Sequence, residues 1–246
     1  MMNLFTNQSI AEQTHDQQFQ TRILTKTFTI FGVSLLVVCG LGYLISYLMT
    51  SNPDIIGKVS TTYLIGSFLV LLPFSFLRFW IIRKFSTFVV GIFYSLCVVI
   101  MAITFSFLFL YFQGQVGNLM YIFGLAGFIF LGSALYGYFT KHNVMRLAPI
   151  LMFSSIALIV AMVISYFVYN STLMMAISVF GILIQIGFII FELYQLKNSK
   201  IFIEQLTNGD QTKMQSMENK FAISQAFCLL ISFINLVTFL ARFMRR

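Results

Sequence analysis

The fold is decided by the run Lys220 to Arg246, KFAISQAFCLLISFINLVTFLARFMRR. It is long enough to cross a bilayer as a helix. It is not uniformly apolar. Gln225, Cys228, Ser232, Asn235, Thr238 and Arg242 recur at spacings of three and four, which sets them in a stripe down one helical face. Polar groups at membrane depth need partners, so that face should look into protein or water rather than lipid. The expectation is a last helix packed inside all the others.

Composition agrees with a membrane protein. Of 246 residues, 59% are hydrophobic and 9% charged, and the mean hydropathy is +0.91. Soluble domains run near a quarter charged. The net charge of +8 does not point to nucleic acid, because the Lys and Arg residues lie mainly between hydrophobic runs. Cys39, Cys97 and Cys228 fall within those runs without metal-ligand spacing and read as small packing residues. No cofactor or metal site is expected. No signal peptide is evident, since a polar segment with Glu12 and Asp16 precedes the first run.

Seven hydrophobic runs of about 20 residues or more follow, near 27–50, 60–82, 86–112, 117–140, 145–169, 172–194 and 220–243. The expected fold is therefore all-α and polytopic, with seven transmembrane helices and the last central among the other six. Residues 1–26 read as a polar tail, with a surface helix near Phe19 to Thr25. Residues 27–246 form the membrane domain, and 195–219 are its one long polar connection.

Charge sets the orientation. Arg22, Lys26, Arg78, Arg83, Lys84, Lys141, Arg146, Lys197, Lys200, Lys213 and Lys220 all fall on one side, and the opposite loops carry little beyond Lys58 and Asp54. The positive-inside rule puts the N-terminus in the cytoplasm of a cell-membrane protein. Arg242, Arg245 and Arg246 disagree. Either the last run crosses fully despite them, or it re-enters and returns. Pro73 should kink the second run, and Gly124, Ala126, Gly127, Gly132, Ser133 and Gly137 should let another helix approach the fourth. The phenylalanines are expected mostly to face lipid.

Glu192 is the one acid in a hydrophobic run, the other acids being assigned to loops or the tail. Ser178, Gln185 and Glu192 are seven apart and share a face, the natural partner of the last helix's stripe. An ionised carboxylate in that setting needs a cation or a proton. Arg78 matches it in depth, and such a pair would close the cytoplasmic mouth between the polar faces. Alternatively, Glu192 snorkels to the headgroups and Arg78 only obeys the charge rule. His15 and His142 are the only histidines and lie in the tail and a loop. That argues against a membrane-embedded serine or zinc hydrolase, so no enzyme is expected.

The sequence resembles the Bax-inhibitor-type transmembrane family. TRILTKTFTIFGVSLL (21–36) is similar to the start of that family's first helix, SALYGYFTKHNV (133–144) to the end of its fourth, FELYQLK (191–197) to its sixth-helix motif, and AFCLLISFINLV (226–237) to its seventh. The resemblance implies six helices around a seventh and a calcium leak gated by pH through two aspartates. For some bacterial members it implies instead a link to a membrane protease. Carried over, the sixth-helix aspartate falls on Glu192, the seventh-helix one on Ser232, the loop aspartate on Asn143 and the motif glutamine on Tyr194. Phe233, Ile234, Asn235 and Leu236 keep the family core string. Serine does not titrate, so any gate here should titrate on one group. A single carboxylate is also a poor calcium site, since Ca²⁺ takes six to eight oxygens.

The expected ion path or gate is Glu192, Ser232, Asn235, Gln185 and Arg78. The expected partners are the lipid bilayer, with calcium or protons as the ions carried. The alternative is a non-conducting regulator that binds a membrane protease or another membrane complex.

Overall fold

A computed structural model describes residues 2–51, 84–112, 114–168, 171–207 and 211–244. Among them are seven α-helices, here α1 (Met2–Ser51), α2 (Thr87–Tyr111), α3 (Val116–Phe139), α4 (Leu147–Val168), α5 (Ser171–Lys197), α6 (Ser199–Thr207) and α7 (Gln211–Phe243). A 3-10 turn, Val144–Arg146, precedes α4. The expectation of seven membrane-spanning helices is corrected. Six helices among the described residues are long and apolar enough to cross a bilayer. The remaining one, α6, has nine residues, far short of the ~20 a crossing takes. The expected second run, 60–82, lies outside the described residues, with Pro73 and Arg78.

Helix α1 absorbs the segment read as a polar tail. No Gly or Pro interrupts residues 2–31, so nothing stops the helix where the sequence turns apolar. Its inward face is a stripe at spacings of three and four, with Phe19, Ile23, Thr27, Phe31, Ser34 and Val38 all buried. That stripe lies along α2. Tyr94 donates a hydrogen bond to Ser34 Oγ at 2.5 Å. Further along, a Cβ on Gly42 would stand 3.1 Å from the Ala102 carbonyl oxygen.

Helix α7 is the core. Within its membrane-length stretch 78% of residues are buried, against 11–39% for the other five. It packs on α1, α2, α3, α5 and α6. α4 is set apart, resting mainly on α5. The whole of α7 is one unbroken helix of 33 residues, about 50 Å at 1.5 Å per residue. It therefore runs through the bundle and does not turn back.

Rings fill the centre. Phe31 stacks on Phe130 at 5.3 Å, and both meet Phe233 edge-on. Phe227 meets Tyr94 at 5.9 Å. The phenylalanines are thus divided between lipid and core. Phe88, Phe128, Phe153 and Phe167 are exposed, whereas Phe105, Phe221 and Phe227 are among the most buried side chains.

The expected small-residue face of α3 contributes one close approach. A Cβ on Gly137 would lie 2.5 Å from the carbonyl oxygen of Ile190 on α5, while Gly124, Gly127 and Gly132 meet nothing. Asn143 starts the turn after α3, its Oδ1 accepting from the Met145 N–H at 3.1 Å. Asparagine caps as aspartate does, so that departure from the family string costs the turn nothing. Lys197 Nζ donates to the Thr140 carbonyl at the end of α3, at 3.1 Å, where a cation complements the helix terminus.

Candidate functional site

Helices α5 and α7 lie side by side and antiparallel, joined through α6. Two contacts fix their register. At one end Gln225 of α7 reaches Glu192 of α5. At the other, the Phe239 ring sits over Gly181, where a Cβ would come within 2.6 Å of it. Seven residues back along α5 from Glu192 is Gln185, and seven forward along α7 from Gln225 is Ser232. The register brings those two to one level. All are inside: Gln225 is 1% exposed, Glu192 and Ser232 4%, and Gln185 6%. Asn235, one turn beyond Ser232, is half-buried.

The centre of the seam is a clasp made by one amide. Gln225 Nε2 donates to the Glu192 backbone carbonyl at 2.7 Å and also to the carboxylate oxygen Oε2. A buried carboxylate needs such donors, and an ionised acceptor makes the stronger bond. The Glu192 side chain lies within the protein, against α7. Arg78, its expected cation, lies outside the described residues.

The resemblance paired Glu192 with Ser232. The contact goes to Gln225, and Ser232 stands seven residues further along α7, about 10 Å of helix. Gln225 belongs to the stripe read from the sequence but was not singled out from it. The signal was present, because Gln225 precedes Ser232 by the same seven residues that separate Gln185 from Glu192.

A second acid was missed altogether. Glu218, assigned from sequence to the polar connection, lies in the third turn of α7 and is 2% exposed. Lys26 Nζ donates to its Oε1 at 2.8 Å and to Asn219 Oδ1 at 3.0 Å. Arg22 Nε is 3.7 Å from the same carboxylate oxygen. Glu218, Gln225 and Ser232 follow one another at intervals of seven, so one polar face runs down α7. It faces the seam where α1 and α5, themselves in contact, come together. Among the described residues no group of three or more His, Cys, Asp or Glu side chains could hold a metal ion.

Residues 20–246 match the family model described as "Inhibitor of apoptosis-promoting Bax1". The chain belongs to this Bax inhibitor-like family. Among its relatives is the inner membrane protein YbhL of Escherichia coli K12, 24% identical over 180 residues that make up 73% of each chain. An uncharacterised protein of Caulobacter vibrioides is 38% identical over 114 residues, 46% of this chain. One from Borreliella burgdorferi is 26% identical over 128 residues, 52% of this chain. The matched part spans 42% and 52% of those last two relatives. This chain, then, is a multi-pass membrane protein of the Bax inhibitor-like family.

Proposed function

We propose that the protein is a gated, non-enzymatic cation leak whose path is the polar seam between α5 and α7, held shut by the Glu192–Gln225 clasp. The observation that carries this reading is the clasp itself. A carboxylate is buried on the helix adjoining the core, and one of its partners is a neutral amide that can let go. Below it, Gln185 and Ser232 continue a polar lining through a bundle otherwise packed with rings and aliphatic side chains. Protonating Glu192 removes the negative acceptor and weakens the clasp, so the leak rises as pH falls. The orientation that suits this reading has the N-terminus in the cytoplasm. Lys26, Lys197, Glu218 and Thr140 are tied together pairwise at that end of the bundle.

The test is ion flux into liposomes carrying the purified protein, for Ca²⁺ and K⁺ separately, across a pH series. Wild-type flux should grow with acidity. Glu192→Gln, neutral at every pH, should leak independently of pH. Wild-type flux no greater than in protein-free vesicles at any pH would sink the reading.

One observation favours a second reading. The seam's Gln185, Glu192, Gln225 and Ser232 are all buried, and the family's second aspartate is Ser232 here. A non-conducting regulator that binds a membrane protease or another membrane complex fits those facts. Co-purification from membranes with a defined protease, without flux, is the outcome that selects it.

A further inference from the structure

Helix α1 carries a groove where it passes from its polar to its apolar half. Among the described residues Arg22, Thr25, Lys26, Thr29 and Ile30 line it, at spacings of three and four, and it holds about 430 Å³. Small-molecule sites hold ~300–1,000 Å³. Arg22 and Ile30 are about 12 Å of helix apart. The apolar run starts near residue 27, so the charged end stands at headgroup level and the Thr29–Ile30 end at the level of the acyl chains.

The charged end is organised as well as basic. Two cations meet one carboxylate, with Lys26 Nζ 2.8 Å and Arg22 Nε 3.7 Å from Glu218 Oε1. Lys26 is committed to that contact and to the Asn219 amide. Arg22 is not. Its Nε stands beyond hydrogen-bond length, and its side chain is 54% exposed. The guanidinium is still positioned, with Cζ 6.0 Å from the centre of the ring of buried Phe19. A planar fork of N–H donors is thus held at the lip of the groove. It brings one positive charge more than the carboxylate beneath it neutralises.

We propose that this groove binds an anionic phospholipid, its phosphate on the Arg22 fork beside Lys26 and an acyl chain along Thr29 and Ile30. Charge and depth choose the ligand together. Arginine meets phosphate oxygens in pairs, and basic pockets beside membrane helices take anionic headgroups. A zwitterionic headgroup carries its own cation, which Arg22 and Lys26 repel. A free phosphate or an acidic peptide would use the charged end and leave the apolar end bare. The site does not rest on the leak reading and holds for a protein that conducts nothing.

The test is native mass spectrometry of the full chain in detergent, given phosphatidylglycerol and phosphatidylcholine in equal amounts. Phosphatidylglycerol should be retained preferentially. Arg22→Gln should weaken that retention about tenfold, the worth of one charge-assisted hydrogen bond. Should that variant not fold, Arg22→Lys, which keeps the charge and loses the fork, replaces it and should also weaken retention. Thr29→Trp fills the apolar end without touching a charge and should weaken it too. Arg146→Gln removes a cation from the turn before the outlying α4 and should change nothing. Equal retention of the two lipids overturns the site. So does an equal loss in Arg22→Gln and Arg146→Gln, which would mean attraction to basic charge in general. Glycerol 3-phosphate, which lacks acyl chains, should not displace the lipid at equal concentration. Displacement by it, or by a poly-glutamate peptide, overturns the lipid as the occupant.

Discussion

At the level of single residues, the clasp depends on what Glu192 loses when its partner changes. Replacing Gln225 by leucine removes the amide and leaves a buried carboxylate short of a donor. That should cost about 1–3 kcal/mol, read as a lower melting temperature in detergent. Glu192→Gln keeps an oxygen that accepts from Gln225 and removes the buried charge, so it should cost less than Gln225→Leu. The double variant should be less destabilised than the sum of the singles, because both act on one contact. The sequence showed Glu192 in an apolar run, on a face shared with Gln185, and left open whether it is buried or snorkels; its partner was not legible. Spacing along one helix gives a face, whereas pairing between two helices depends on their register. Here the register is set by interhelical packing, Phe239 over Gly181 and the Gln225 contact, which no single-helix pattern encodes.

At the element scale the glycines of α3 separate a packing requirement from simple tolerance. Gly137→Ala would drive its Cβ into the Ile190 backbone, with the carbonyl oxygen at 2.5 Å and Cα at 2.9 Å. Backbone cannot swing aside as a side chain can, so α3 and α5 must part. The expected loss is about 1–3 kcal/mol. Gly132→Ala meets open space and should be neutral or mildly stabilising, since alanine is the better helix former. Melting the two variants in one detergent checks the contrast. The sequence showed the small-residue face but could not say which member touches.

Helix ends were the least legible part. The segments 2–26 and 211–220 read as polar and so as tail and connection. Yet hydropathy marks only where lipid stops, and a helix rich in Gln, Glu, Lys and Met continues beyond it at no cost. Glu218 was misplaced for that reason. The cations that accompany it come from the first helix, at the other end of the chain.

At the scale of the whole molecule, α7 is an unbroken rod through the bundle, so its two ends should lie on opposite sides of the membrane. In a background with Cys39, Cys97 and Cys228 replaced by serine or alanine, cysteines placed at Gln17 and Met244 should react with an impermeant thiol reagent from opposite faces. Gln17 should react from the cytoplasmic face. Labelling of both from one face would contradict the crossing. The all-α, multi-pass character and the prominence of the last helix were legible from hydropathy and from its polar stripe. The outlying position of α4 was not, because its composition is as apolar as that of the helices that touch the core.

The central claim is that the Glu192–Gln225 clasp holds the seam shut. The most direct measurement is K⁺ flux at neutral pH into liposomes carrying Gln225→Leu, beside wild type at equal protein density. The variant should leak about tenfold faster, as removing ~1.4 kcal/mol of closure would give, and its flux should no longer rise on acidification. A folded Gln225→Leu protein whose flux equals that of wild type at every pH would contradict it.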